Sequence, residues 1–191
     1  KLDCKNIRQY LFDTLKNETG KVLLSFANEE LDNMDIVAEV VEHINYKFDK
    51  YISKKKDKFL EVSYLTDKKV PKLIEGYELA KISNIVKDLI NEQAEVMTPK
   101  ALADKAVELG KQFGFQAEIM DEKKIQKLGM NAYLGVARAA HHIPYLIVMR
   151  YKGDEKSKYT HGLVGKGLTY DTGGLSLKPT ASMLTIICDI C

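Results

Sequence analysis

A glycine-rich stretch between His161 and Pro179 carries two lysines and an aspartate and is the part of this sequence best equipped for chemistry. Lys166 and Lys178 carry ammonium groups that can stabilise anions, and Asp171 between them can bind a cation. Four of the glycines lie around these residues, at positions 165, 167, 173 and 174. Glycine lets the backbone turn sharply and lets a ligand approach closely. From the residues alone two interpretations stay open: a ligand site, or a tight turn with solvated charges.

A phosphate-binding loop is the first functional alternative, and the spacing excludes it. The Walker pattern requires a glycine, four further residues, Gly-Lys, and then Ser or Thr. Here Thr160 stands where the first glycine should be, and Gly167 follows Lys166. The pattern therefore fails at two positions.

Metal binding is the second alternative. Asp171 and Asp189 carry the hard oxygen ligands that Zn²⁺, Mn²⁺ and Mg²⁺ accept. A lysine amine coordinates a metal ion only after it has lost its proton, which a neighbouring cation in a desolvated site favours. Residue types alone would therefore not select Lys166 as a ligand.

The run from Val164 to Pro179 reads V-G-K-G-L-T-Y-D-T-G-G-L-S-L-K-P. It resembles a segment of the leucyl aminopeptidase (cytosol aminopeptidase) family, peptidase family M17, which reads approximately V-G-K-G-[IV]-T-[FY]-D-[ST]-G-G-[IL]-S-[IL]-K-P. Asp171, Lys178 and Asp189 follow Lys166 by 5, 12 and 23 residues, as in the family. Three looser matches, at 46–51, 91–99 and 129–136, extend the resemblance over nearly the whole chain.

The resemblance implies that Lys166, Asp171 and Asp189 bind two divalent metal ions, Zn²⁺ or Mn²⁺, with Asp171 bridging them. It implies that Lys178 is the catalytic residue, which polarises the scissile carbonyl and stabilises the oxyanion. The implied activity is a metal-dependent aminopeptidase that releases N-terminal amino acids, leucine-type, from peptide substrates. The family acts in the cytoplasm as a homo-hexamer. Its further ligands, in an N-T-D-A-E-G-R segment, are not in this sequence, so the second metal site is expected to be incomplete.

Both ends of the sequence look cut, because it begins at Lys1 without Met and finishes on an apolar run to Cys191. We therefore expect a fragment lacking both ends of such a peptidase, weakly active or inactive by itself. The alternative from another functional class is a non-catalytic α/β binding or assembly module derived from such a peptidase.

The composition limits which partners and which compartment are expected for this chain. The chain has 191 residues, 45% of them hydrophobic, and a formal net charge of +2. A charge so near zero argues against a nucleic-acid surface. The sequence has no apolar run of about 18 residues, so no membrane span is predicted. Three cysteines are too few for a secreted disulfide framework and favour a reducing, cytoplasmic compartment.

Alternating helix and strand patterns predict an α/β protein. We expect part of a mixed α/β N-terminal domain at 1–71, a connecting helix at 72–96 and the start of an α/β/α catalytic domain at 97–191. Thr98 and Pro99 are a good cap and first residue for a helix. Helices are predicted at 3–17, 33–49, 74–91, 98 to 110 or 114, and 121–128, and strands at 21–26, 59–65, 115–120, 145–151 and 162–168.

Three further groups of residues have plainer interpretations beside a functional one. Cys188 and Cys191 have the spacing of half a zinc or redox site, or are small apolar residues. His141 and His142 are interpreted as loop residues that bond to solvent or backbone. The lysines between 50 and 58 are interpreted as a solvated loop rather than a phosphate or nucleic-acid site.

Overall fold

The computed structural model describes residues 4–25, 33–55, 59–66, 69–174 and 176–183. The chain divides into two compact units, Lys1–Asp88 and Leu89–Cys191, and the division falls inside one helix. The elements are α1 (Cys4–Leu15), β1 (Gly20–Ser25), α2 (Met34–Asn45), β2 (Leu60–Leu65), α3 (Pro71–Asn91), α4 (Pro99–Phe113), β3 (Gln116–Met120), α5 (Glu122–Lys127), α6 (Asn131–Ala137), β4 (Leu146–Arg150) and α7 (Thr180–Met183). The predicted mixed α/β class is confirmed. No helix among the described residues is long and apolar enough to cross a membrane.

The first unit is built on a parallel strand pair. Gly20 of β1 lies opposite Leu60 of β2, and the register continues to Ser25 and Leu65. Every second side chain is shielded from solvent, as the period of two in a strand requires. Apolar side chains of α1 and α2 cover this shielded face. Besides Leu60 of β2, the buried apolar residues of this core are Leu11, Leu15, Met34, Ile36, Val37, Val40 and Val41.

One side chain fixes the end of α2 against β2. Asn45, the last residue of α2, donates from Nδ2 to the carbonyl oxygen of Leu60 at 2.8 Å. Its Oδ1 accepts from the backbone N–H of the same Leu60, also at 2.8 Å. One amide side chain thus satisfies both backbone groups of Leu60, the first residue of β2. These two bonds hold the start of the strand at the end of the helix.

The first part of α3 packs closely against α2. A Cβ at Gly76 would overlap the backbone of Asp35, so only glycine permits this approach. Three turns later, Lys87 Nζ lies 2.8 Å from Nδ1 of His43, which also lies 3.3 Å from Oδ1 of Asn84. Burial lowers the pKa of Lys87, and the charge of Glu39 partly offsets that effect. The two helices are therefore joined by a close backbone approach at Gly76 and by polar contacts around His43.

α4, the first helix that lies wholly within the second unit, begins with the predicted cap. Thr98 Oγ1 accepts from the N–H of Ala101 at 3.2 Å, Pro99 is the first helical residue, and α4 ends at Gly114 with φ +77°. β3 and β4 pair antiparallel, with Gln116 opposite Arg150. The predictions of α4, β3 and α5 are confirmed within a few residues of their ends.

The secondary structure differs from the expectations in four places. The strand expected at 162–168 is absent, and the described residues from 151 to 179 form no regular element. α6 was not predicted. α2, expected at 33–49, ends at Asn45, and Asn33 makes no side-chain cap to it. α3 ends at Asn91, as its apolar pattern predicts, so helix covers the expected connection at 72–96 only as far as residue 91.

β4 is also less buried than its apolar sequence predicts. Its first three residues are half-buried, whereas Met149 is 61% exposed and Arg150 is exposed too. Among the described residues β3 is the only strand that pairs with β4, and α4 also contacts β4, so the other edge of β4 has no strand partner there. An apolar run makes a strand suitable for burial, but the strands and helices packed around it determine how much of it is buried.

Candidate functional site

The candidate site residues lie in the irregular stretch that follows β4. Residues 161–167 are exposed, with Leu163 98% exposed. Lys166 belongs to this stretch. The solvent exposure of the residues decreases towards Asp171, where they become half-buried. The stretch therefore leads from solvent into a more protected turn.

Asp171 and Lys178 form the centre of this turn. Lys178 Nζ donates to Asp171 Oδ2 at 3.0 Å, and the two side chains are 32% and 37% exposed respectively. The backbone N–H of Gly173 donates to Asp171 Oδ1 at 2.8 Å. The Lys178 hydrogen bond, then the Gly173 N–H, hold the pKa of Asp171 below its usual range, and the charge of Lys166 adds to this. Asp171 is therefore an ionised carboxylate that is paired with Lys178 and hydrogen-bonded to the backbone of Gly173.

Two glycines make this contact possible. Gly173 has φ +91° and Gly174 φ +61°, conformations that other residues rarely adopt. A Cβ at Gly173 would overlap the carbonyl oxygen of Ser176. The turn closes where the N–H of Lys178 donates to the carbonyl of Thr172 at 2.9 Å. The chain thus reverses between Asp171 and Lys178 and brings their side chains together.

The structure brings two of the four residues that the sequence singled out, Asp171 and Lys178, into contact. Lys166 lies in the exposed stretch before the turn, and its charge makes a small contribution to the lowered pKa of Asp171. Asp189 lies outside the described residues, as do Cys188 and Cys191. No group of three or more His, Cys, Asp or Glu that could hold a metal occurs in the part of the chain that the structure describes.

The donors present suit a divalent cation in type. The ionised Asp171 carboxylate is a hard oxygen ligand. The backbone N–H of Gly173 orients its Oδ1, and the ammonium of Lys178 occupies its Oδ2. One oriented carboxylate is the part of a metal site that these residues supply.

The family model described as "Cytosol aminopeptidase family, catalytic domain" matches residues 84–191, more than half of the chain and the whole of the turn. The chain belongs to the cytosol aminopeptidase family. A curated relative in Fusobacterium nucleatum subsp. nucleatum, "Probable cytosol aminopeptidase", is 81% identical over 190 residues. It covers 100% of this chain, whereas the chain covers 40% of the relative.

More distant cytosol aminopeptidase relatives give the same result. A "Probable cytosol aminopeptidase" of Persephonella marina is 41% identical over 153 residues, 75% of this chain and 31% of the relative. The chain thus spans about two fifths or less of the length of these curated relatives.

Solved structures share the fold. The bottromycin maturation enzyme BotP in complex with Mn superposes with a TM-score of 0.80 at 27% identity, over 95% of this chain and 40% of that one. Cytosol aminopeptidase from Coxiella burnetii superposes with a TM-score of 0.77 at 23% identity, over 96% of this chain and 39% of that one, a likeness of fold.

The pairing of Asp171 with Lys178 is the feature of the site that sequence reasoning missed. The motif identified both residues but gave them separate roles, as a metal ligand and as a catalytic ammonium. The signal that could have revealed the contact is the Gly173-Gly174 pair between them, since two glycines in succession often mark a chain reversal.

Proposed function

We propose that this chain supplies Lys166, Asp171, Lys178 and Asp189 to the active site of a metal-dependent aminopeptidase that releases N-terminal amino acids, leucine-type, from peptides. The observation that carries the proposal is the glycine turn that joins Asp171 to Lys178 within the residues matched by the family's catalytic domain. BotP, which shares this fold, has been solved in complex with Mn, and this supports a metal site.

Lys166, Asp171 and Asp189 would hold two divalent ions, Zn²⁺ or Mn²⁺, with Asp171 between them. Such ions, when bound, act as Lewis acids and make water a good nucleophile near neutral pH. Asp189 would also bind the free amine of the substrate. The further ligands are expected in the remainder of the family's catalytic domain, so the second site is incomplete in this chain.

Lys178 would act on the scissile carbonyl. Its ammonium, which donates to Asp171 in the structure, can donate a hydrogen bond to the carbonyl oxygen, which becomes an oxyanion in the transition state. A divalent cation held by Asp171 would compete with Lys178 for Oδ2, and the ammonium would then be available to the substrate. Gly173 and Gly174 keep Lys178 near the site, because they fix where its backbone lies.

The proposal also covers the domain organisation, the oligomeric state and the compartment. We expect a partial N-terminal domain at 1–71, a connecting segment at 72–96 and part of the catalytic domain at 97–191. We also expect a homo-hexamer in the cytoplasm, with no nucleic-acid partner. Since the chain covers 40% of its Fusobacterium relative, the 191 residues by themselves should have little or no activity.

Metal binding and hydrolysis test the proposal separately. Mn²⁺ binding to the 191-residue chain, followed by electron paramagnetic resonance, should be weakened strongly by Asp171→Asn and left unchanged by Asp154→Asn, an exposed aspartate in the turn after β4. Equal binding to both variants would contradict the assignment of Asp171.

Hydrolysis of leucine-p-nitroanilide with Mn²⁺ or Zn²⁺ tests the catalytic role. Any turnover should disappear in Lys178→Ala and persist in Lys152→Ala, an exposed lysine beyond β4. Rapid turnover by the unaltered chain would contradict its expected inactivity. A folded chain that binds no metal at all would favour the non-catalytic assembly module.

A further inference from the structure

A polar cleft in the second unit takes no part in the proposed peptidase chemistry. α5, α6 and the loop at 138–144 enclose it, with a volume of about 510 Å³. Arg138 and Glu122 bring opposite charges to its lining, and Leu134, Ile143 and Pro144 bring apolar surface. Ligand pockets commonly have about 300–1,000 Å³ and combine apolar walls with a few polar groups. The cleft has this composition.

The walls of the cleft are held in place by contacts behind them. Ile125 of α5 is fully buried, and Asp121 Oδ1 caps this helix by accepting from the N–H of Lys124 at 2.9 Å. The hydroxyl of Tyr133 on α6 donates to the carbonyl of Tyr145 at 2.6 Å, which ties α6 to the chain entering β4. Burial raises the pKa of Tyr133, so this hydroxyl keeps its proton. A cleft with fixed walls is preorganised for a ligand.

Arg138 and Glu122, the charged groups of the cleft, have no partner within the described part of the chain. Within the described residues, the guanidinium of Arg138 and the carboxylate of Glu122 make neither a hydrogen bond nor an ion pair. Two opposite charges that share a cleft without pairing keep their hydrogen-bonding capacity for a ligand. A guanidinium prefers a carboxylate in a two-pronged contact, and a carboxylate accepts readily from an ammonium.

Gly135 leaves room for that ligand. It lies within α6 on the cleft lining, where a Cβ would meet nothing within 4 Å. Glycine weakens a helix interior relative to alanine, and neither a positive φ nor a close backbone contact requires it here. The space that its missing side chain leaves is continuous with the cleft.

We propose that this cleft binds a small zwitterion with an apolar side chain, the chemical class of a free amino acid such as leucine. Arg138 binds the carboxylate, Glu122 accepts from the ammonium, and the side chain packs on Leu134, Ile143 and Pro144. The inference goes beyond the proposed peptidase function and does not depend on it, since none of these residues belongs to the turn at Asp171.

Titration of the metal-free 191-residue chain in EDTA with three ligands tests the chemistry. Leucine should bind and shift the amide NMR signals of residues 122–144. Leucinamide lacks the carboxylate and N-acetyl-leucine lacks the ammonium, so each should bind at least about tenfold more weakly. If leucinamide binds as well as leucine, or if leucine shifts no signal in this range, the proposal is wrong.

Two variants locate the binding. Arg138→Gln should weaken leucine binding at least about tenfold, whereas Arg150→Gln, which removes an arginine paired with Glu118 outside the cleft, should not. Gly135→Leu should block the cleft while giving α6 a better helix former. Thermal unfolding shows whether each variant is folded. Unchanged leucine binding in folded Arg138→Gln or folded Gly135→Leu would overturn the proposal.

Discussion

The core of the first unit and the turn at Asp171 are held together in different ways. The core joins side chains that are far apart in sequence, such as Leu11, Met34 and Leu60, and they are almost entirely buried. The turn joins residues two to seven positions apart, and its side chains stay partly exposed. Stability therefore rests on apolar burial, whereas the site rests on local backbone geometry. Mutations should be able to change one without the other.

The largest effect is expected where the core is most completely buried. Met34 is 0% exposed, and Met34→Ala should lower the free energy of unfolding by about 2–5 kcal/mol, because it removes packing and leaves a cavity. Urea denaturation measures this. Met34→Leu nearly conserves volume and should cost less than about 1.5 kcal/mol. A loss as small as this in the alanine variant would mean that the core does not dominate stability.

A smaller loss is expected at the clamp between α2 and β2. Asn45→Ala leaves the N–H and the carbonyl of Leu60 without their partner and should cost about 1–3 kcal/mol. Asn131→Ala, at an exposed asparagine whose side chain makes no hydrogen bond within the described residues, is the matched control. Equal stability of the two variants, measured by urea denaturation, would contradict the role of the clamp.

A mutation in the turn should change metal binding but not stability, whereas a mutation in the core should change stability. Gly173→Ala places a Cβ against Ser176 at φ +91°, a strain of about 1–3 kcal/mol that the exposed stretch relieves by opening locally. Mn²⁺ affinity should therefore fall while the urea midpoint barely moves. Gly162→Ala, at a glycine with open space around it, should change neither. A large drop in the urea midpoint would show that the turn and the core are coupled.

The smallest effect is expected at the exposed pair on the second sheet. The Arg150 hydrogen bond holds the pKa of Glu118 below its usual range. A lowered folded-state pKa contributes stability above the unfolded-state pKa, and this contribution is lost as the pH falls through the folded-state pKa. Unfolding of Arg150→Gln should therefore depend less on acid pH than that of the unaltered chain, and high salt should reduce the difference. A steeper acid dependence in the variant would reverse this assignment.

Much of the fold was predictable because its signals are local. Thr98 and Pro99 marked the start of α4, a short apolar run after Gly20 marked β1, and alternating apolar residues marked β2. α6 was missed because its seven residues contain Gly135 and bury no side chain, which leaves little periodicity to detect. Periodicity reports only which side chains are shielded.

The strand expected at 162–168 failed for a different reason. Its apolar residues suit a strand, but a strand needs a neighbour to pair its backbone groups, and sequence pattern does not identify one. The site was predictable as a set of residues through the motif. Its internal contact was not, because the meeting of Asp171 and Lys178 depends on left-handed backbone angles at Gly173 and Gly174.

The exposed stretch before the turn has a consequence for handling the protein. Leu163 and Val164 are fully open to solvent, flanked by Tyr159, which is 84% exposed, in a segment whose backbone joins no sheet among the described residues. Such a segment can pair with a copy of itself in another molecule. Self-association should therefore grow with protein concentration, and the solubility of this chain is governed by a few residues next to its most chemically active ones.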